Sequence, residues 1–548
     1  MTTDLTSQSR IILRADGDSV IGMGHFTRTL ALAARLKNDF RCCYAIRTPS
    51  DDQKKAIAQV CPERIDLPAG ETTHFEAFLN LLTGNEVVVL DNYYFTTDYQ
   101  QAIKDKGCKL ICIDDIHDRH YVADLVICQI PASGSAFSIE LYTRLLTGFD
   151  CVLLRPAFLK PLPENHRKNP FESVLICFGG SDPYNLTMTV LQQLLQLERL
   201  HLVTVVTGNA YQYESALQAL LQAYKGSIRV SWVRNASAEQ LAGLMDTADV
   251  GIVSSSTILL ESLSRNMPVI TGYYVDNQIE LNKTVTGKDP RILSVGNWMA
   301  KPSIVDRFQL LEATLQTEPE KFLLAGRQHE PFLQAGQPVL GENATGCPEF
   351  LISSSQADRL LNAFRQLEQE FSYTVRKAGS ADVDLYFNWA NDAAVRQNSI
   401  QTVPIAYESH VGWFRRKLNQ PDTFLFVIEQ AGTPVGQIRF DYEVDSQSYT
   451  IGYSVDAAFR GQGLGKLVVK LGIEQLVKEV ASVRSKANPE VPPCRRLTAL
   501  VKAGNQASGK VFEALSFSRL PDIKIETVTY LMFQKETGRM TTTLIDQK

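Results

Sequence analysis

Four stretches of the 548-residue chain put polar or ionisable side chains beside backbone that can closely approach a ligand. The first is Gly22-Met23-Gly24-His25, flanked by Arg14, Asp16 and Arg28. Glycine reaches backbone angles that other residues avoid, and the first turn of a following helix offers unpaired N–H groups, so an anion can dock there. His25 stands at that docking point, where an imidazole can take a proton from water. Gly179-Gly180-Ser181 repeats the glycine turn; Ser181 or Asp182 could equally cap the next helix. The third stretch is Ser256-Thr257 with Glu261 one helical turn on, followed by Asn277-Gln278. Small residues there let a helix start approach phosphate, and a carboxylate can accept from two vicinal hydroxyls. The fourth is Arg460-Gly461-Gln462-Gly463-Leu464-Gly465-Lys466, whose consecutive amides suit a diphosphate.

These stretches follow strand-like runs. Ile11–Ala15 precedes the first turn and an Ala/Leu-rich helix follows it, while Ser173–Phe178 precedes the second turn and Val250–Val253 the third stretch. Apolar runs at 41–46, 87–90, 110–113 and 125–128, and again at 202–207 and 228–232, alternate with helical segments. This alternation predicts an α/β fold with parallel sheets, in which ligands collect at the carboxyl ends of strands. Polar residues stand at such ends, as Asp91-Asn92-Tyr93 and Asp114-Asp115. Beyond a polar stretch at 336–356 the pattern changes. An amphipathic helix over 357–371 is followed by strands at 423–429, 435–442 and 449–455, the last ending at Val455 before the long glycine loop.

Arg14, Asp16, Gly22, Gly24, His25 and Arg28 together resemble the N-terminal motif of the UDP-sugar hydrolases of pseudaminic acid biosynthesis, which have a GT-B fold similar to MurG-type glycosyltransferases. The segment Leu146–Pro156 resembles the same family and is kept as structural. That resemblance implies His25 as base for hydrolysis with Asp16 as a second catalytic candidate, and Arg14, Gly22, Gly24 and Arg28 on the substrate. It also puts Gly179, Gly180 and Ser181 on the diphosphate, Ser256 and Thr257 on phosphate, Glu261 on ribose, and Asn277 and Gln278 on the sugar. Farther on, the loop Arg460–Lys466 with Asn505, Ser508, Phe512 and Phe517 resembles the GNAT acyltransferase superfamily. This implies acetyl-CoA as co-substrate, held by Val455, Arg460, Gly461, Gln462, Gly463, Leu464, Gly465, Lys466, Asn505, Ser508 and Phe512. The family often has tyrosine where Phe512 stands, and Phe cannot donate a proton. Glu443, Asp441 and Tyr453 are candidates for the base, and His410 is a further candidate that also fits a buried structural role.

The expected fold is α/β: two Rossmann-like lobes of a GT-B fold, at 1–165 and 166–370, and an α/β GNAT domain at 371–548. The expected function joins consecutive steps, acetylation of the 4-amino group of a UDP-linked aminodideoxy sugar and hydrolytic release of UDP. A MurG-like glycosyltransferase, or a nucleotide-sugar scaffold serving the acyltransferase, remains as the alternative.

Composition excludes some classes. A net charge of −5 and 21% charged residues give no excess of Lys and Arg for nucleic acid. No apolar run approaches the roughly 20 residues of a membrane span and the N-terminus has no signal-like stretch, so a cytoplasmic protein without a membrane partner is expected. The ten cysteines lack paired C-x-x-C spacing and read as core thiols. Asp114, Asp115, His117, Asp118 and His120 crowd one loop; an acid there could orient His25 or a sugar hydroxyl, and no metal is expected.

Overall fold

The computed structural model describes residues 10–18, 21–162, 171–287, 289, 291–317, 354–485 and 491–537. Most of the polar junction expected at 336–356 lies outside them. The chain forms two compact units, one of Met1–Ile116, Ile127–Ala132 and Leu146–Asn362, the other of His117–Val126, Ser133–Leu145 and Ala363–Lys548. Two short segments of the first half thus belong with the C-terminal unit. Leu141 and Tyr142 give the reason, since both are buried in the same apolar cluster as Val468 and Leu471.

Within the first unit, β1 (Arg10–Ala15), β2 (Arg41–Arg47), β3 (Glu63–Leu67), β4 (Val87–Asp91) and β5 (Lys109–Ile113) form most of one sheet. Past β6 (His120–Tyr121) come β7 (Leu125–Cys128), β8 (Ser138–Ile139) and β9 (Arg144–Thr147), and the full order is β3-β2-β1-β4-β5-β7-β9. The pairings of β1 with β2 and β4, of β2 with β3 and of β4 with β5 are parallel. Every residue of β4 and β5 is buried, as expected of strands covered on both faces.

A second sheet repeats the plan with β10 (Ser173–Cys177), β11 (Leu202–Thr207), β12 (Arg229–Arg234), β13 (Val250–Ser254), β14 (Val269–Tyr273) and β15 (Ile292–Asn297). Its order is β12-β11-β10-β13-β14-β15, and each strand pairs in parallel with its neighbours. In both sheets the chain reverses its winding between the first and fourth strands, and the carboxyl ends there open into a crevice.

The C-terminal unit has a different sheet: β16 (Tyr373–Lys377), β17 (Thr423–Gln430), β18 (Thr433–Glu443), β19 (Ser448–Val455), β20 (Arg496–Lys502), β21 (Ser518–Ile525) and β22 (Val528–Glu536), in the order β16-β17-β18-β19-β20-β22-β21. All neighbours are antiparallel except β19 and β20. Those two pair in parallel only at Tyr449–Leu497 and Thr450–Thr498, then splay apart. No helix among the described residues is long and apolar enough to cross a membrane. The nine described cysteines are unpaired thiols, and all but Cys494 are buried.

Candidate active sites

The first site grows from a single carboxylate. Asp91 ends β4, a strand otherwise made of valine and leucine, and is wholly buried. An unpaired charge there would cost several kcal/mol. The helix Gly24–Leu36, which begins after Gly22 at φ +80°, supplies the partners. His25, Arg28 and Thr29 share one of its faces, being three and four residues apart. His25 Nδ1 lies 2.7 Å from Asp91 Oδ1, Arg28 donates at 2.7 and 2.6 Å to the two oxygens, and the Thr29 hydroxyl donates at 2.9 Å. Burial pushes the Asp91 carboxyl up, but Arg28 and His25 outweigh it and hold the group well below the usual carboxylate range. Arg28 also reaches Asp115 at 2.7 Å, so Asp115 is tied to Arg28 rather than to His25.

Around His25 lies a cavity of about 710 Å³, within the usual size for a small-molecule site. Gly22, Gly24, Arg28 and Tyr93 line it from the first lobe, and Gly179, Gly180, Ser181, Ser256, Thr257, Glu261, Asn277 and Gln278 from the second. Gly22, Gly24, Arg28 and Tyr93 follow β1 and β4, and Gly179–Ser181 and Ser256–Glu261 follow β10 and β13, the strands between which each sheet reverses its winding, while Asn277 and Gln278 follow β14. The Tyr93 ring meets His25 edge-on at 4.5 Å, and its hydroxyl accepts a hydrogen bond of 2.8 Å from Asn277. Gly179 has φ +86°, so its amide can be presented where a side chain would be strained. Asp182 is spent inside the turn, accepting from the Leu186 and Thr187 amides at 2.8 Å each.

Glu261 is buried, and both its oxygens accept from Arg155, at 2.7 and 2.8 Å. Arg155 belongs to the segment read from the sequence as structural, yet it lines the cavity. Gln278 Oε1 accepts from the Tyr274 amide and lies mostly inside the fold.

Arg14 and Asp16 are not brought to the cavity. Arg14 is fully buried and donates to Asp16 at 2.6 and 3.0 Å; Asp16 also accepts from the Arg47 amide at 2.7 Å and from the Tyr94 hydroxyl. Opposite charges bury here because they satisfy each other, and the pair fastens the loop of Tyr94, next to Tyr93. Asp91, Tyr93 and Arg155 had no assigned role in the sequence reading. A lone Asp closing an apolar strand, opposite a helix with His, Arg and Thr at i, i+3 and i+4, was the available signal for Asp91.

The loop with His117, Asp118 and His120 is occupied by protein partners. Asp118 pairs with Arg119 at 2.7 Å, and His120 lies 2.8 Å from Ser138 and 3.0 Å from Glu140.

The second site lies where β19 and β20 splay. A cavity of about 530 Å³ is lined by Tyr453 and Val455 of β19, by Arg460, Gly461, Gly463, Leu464 and Gly465, and by Asn505, Ser508 and Phe512. Gly461 and Gly463 take φ +80° and +77°, turning the loop so that the helix Leu464–Ser485 begins at the cavity. A loop of this form with a helix start suits a diphosphate. Asn505 caps the helix Gln506–Ala514 by accepting from the Ser508 amide at 3.2 Å.

Gln462 and Lys466 do not line this cavity. Lys466 lies 3.4 Å from Gln366, and burial, with Arg144 and Lys470 nearby, lowers its amine to about 8. Glu443 is exposed at the far end of β18 and is not brought to the cavity. Asp441 pairs with Lys417 at 2.8 Å and Arg439 at 2.6 Å. His410 is buried against Phe414 with Nε2 at 3.1 Å from the Val383 carbonyl, a structural setting. Among the base candidates, Tyr453 alone faces the cavity.

Residues 373–518 match the acetyltransferase (GNAT) domain family. The first half of the chain has other relatives. Over 275 residues it is 24% identical to the UDP-2,4-diacetamido-2,4,6-trideoxy-beta-L-altropyranose hydrolase of Campylobacter jejuni, covering 49% of this chain and 93% of that protein. Identity is also 24% over 278 residues to the spore coat polysaccharide biosynthesis protein SpsG of Bacillus subtilis, covering 49% of this chain and 79% of that protein. An uncharacterized protein of Methanocaldococcus jannaschii is similar along 93% of this chain and 97% of its own length, again at 24% identity. The chain therefore carries a match to the acetyltransferase (GNAT) domain in residues 373–518 and, in its first half, similarity to a UDP-sugar hydrolase and to a spore coat polysaccharide biosynthesis protein.

Proposed function

We propose that the protein acetylates the 4-amino group of a UDP-linked aminodideoxy sugar and then hydrolyses the diacetamido product to free sugar and UDP. The observation that carries the hydrolytic half is the His25–Asp91 pair at 2.7 Å in a cavity lined by both glycine turns. With Nδ1 donating to Asp91, Nε2 is the nitrogen left to take a proton from water. Water then attacks the anomeric carbon, the bond to the diphosphate breaks, and the departing UDP is stabilised by the amides at Gly179–Ser181 and the helix start at Ser256–Thr257. Attack opposite the leaving group inverts the anomeric centre.

The positions of Arg155 and Glu261 refine the ribose assignment. Arg155 fixes the carboxylate through both oxygens, leaving its other lone pairs to accept from ribose hydroxyls. In the GNAT domain the Val455–Lys502 cavity takes acetyl-CoA as co-substrate, with the diphosphate on the loop Arg460–Gly465 and the thioester between the splayed strands.

The test follows both leaving groups in one tube. With UDP-4-amino-4,6-dideoxy-N-acetyl-altrosamine and acetyl-CoA, CoA thiol and UDP should both appear, and UDP release should depend on acetyl-CoA. Thiol without UDP would defeat the hydrolytic half and leave the GNAT half standing.

A further inference from the structure

Resting on the hydrolytic half of that reading, we infer that Gln129 selects the acetylated sugar. Its side-chain NH2 donates to the carbonyl oxygen of the 4-acetamido group, Asp115 Oδ1 accepts from that group's N–H, and Ile116 and Ile130 pack on its methyl. All four residues line the cavity around His25. They come from the carboxyl ends of two adjacent strands, β5 and β7, held side by side where the Asp114 amide donates to the Ile127 carbonyl at 2.9 Å.

Gln129 is only 7% exposed, and its side-chain oxygen accepts from the Leu153 amide at 2.9 Å. That bond settles which way the carboxamide faces, because only its oxygen can accept, and the NH2 is what remains for the cavity. Among the described residues none accepts from that NH2. A buried donor without a partner costs about 1–3 kcal/mol, so its place in a cavity wall marks where a guest carries an acceptor. Asp115 shows the complementary lack. Its Oδ2 accepts from Arg28 at 2.7 Å and from the Tyr93 hydroxyl at 3.3 Å, while Oδ1 is shielded from water and accepts from no described residue. An unmatched donor, an unmatched acceptor and two isoleucines on neighbouring strand ends are the complement of a secondary amide that carries a methyl group.

The position on the sugar follows from the diphosphate, whose turns belong to the second lobe. C4 stands across the pyranose ring from C1, so its substituent reaches farthest towards the first-lobe wall that these four residues form. A free 4-amine, an ammonium at neutral pH, offers Gln129 no acceptor and sets a charge against Ile116 and Ile130. It gains little from Asp115, whose charge Arg28 already offsets. The order of the two reactions is therefore set inside the hydrolytic cavity, which takes the sugar only after acetylation.

Gln129→Glu in the full chain keeps an oxygen for the Leu153 amide and replaces the donor with an anionic acceptor. In wild type, kcat/KM for UDP release should be at least about 100-fold higher with the 4-acetamido sugar than with the 4-amino sugar. In Gln129→Glu that ratio should shrink at least about 30-fold, because the acetamido carbonyl now meets an acceptor and the ammonium a carboxylate. The calorimetric Kd for UDP alone should stay within about twofold of wild type, since Gln129 meets only the sugar. Equal kcat/KM for the two sugars in wild type overturns the assignment, as does a loss in Gln129→Glu that is the same for both. Failure of the parent reading looks different, because wild type then releases no UDP from diacetamido sugar supplied ready-made. Calorimetric Kd values of the two UDP-sugars carry the comparison in that case. Tighter binding of the acetamido sugar that Gln129→Glu weakens supports the inference, and equal affinities overturn it.

Discussion

Asp91 gathers donors from His25, Arg28 and Thr29 because a buried carboxylate is tolerated only when its lone pairs are filled. If Asp91 fixes the His25 tautomer, Asp91→Asn should cut kcat for UDP release by roughly 100-fold or more while leaving UDP affinity within about threefold, since Asp91 stands behind His25 and Arg28 and does not itself line the cavity. Equal losses in turnover and in calorimetric UDP affinity would instead give Asp91 a purely architectural role. A second buried group sets an acid limit. Burial, with Arg14 donating to Nδ1 at 3.2 Å, lowers His74 from 6.5 to about 4. Between those values the unfolded chain holds the extra proton, so stability is complete above about pH 6.5 and falls as pH drops towards 4. The full loss is on the order of 3 kcal/mol. Thermal melts from pH 7 to 4 should show this slope, and His74→Gln should flatten it; identical slopes would remove His74 from the account.

At the scale of elements, the proposed binding rests on the glycine loops. Gly463 has φ +77°, and a Cβ built there would meet nothing within 4 Å. Gly463→Ala therefore adds no clash but strains the loop by about 1 kcal/mol, and the acetyl-CoA KM should rise by up to about tenfold with little change in kcat. A fall in kcat at unchanged KM would contradict a binding role. Such loops were legible in the sequence because glycine spacing and flanking apolar runs are local signals. The strands at 87–91, 173–177, 250–254 and 449–455 were legible for the same reason. Arg14 and Asp16 were misleading, because a motif gives spacing but not which face of β1 a side chain takes. Arg155 was hidden by distance, since its partner Glu261 lies 106 residues away. The grouping of Leu141 and Tyr142 with the core of Val468 depends on long-range packing that no periodicity encodes.

For the whole molecule, the cavity around His25 and the cavity around Tyr453 are lined by separate residues. Each lies inside a single compact unit and draws on no side chain of the other. The two chemistries should therefore be separable by substitution. His25→Ala should lose UDP release by at least about 100-fold and still release CoA thiol in the presence of amino sugar at the wild-type rate, accumulating the acetylated UDP-sugar. Gly461→Ala combined with Gly463→Ala should do the converse, slowing thiol release while UDP is still freed from diacetamido sugar supplied ready-made. Mixing the two variants should then restore UDP release from the amino sugar, since the acetylated intermediate leaves one chain and enters another. If neither mixture nor supplied intermediate restores it, the two cavities work only together on one chain, and their independence is refuted.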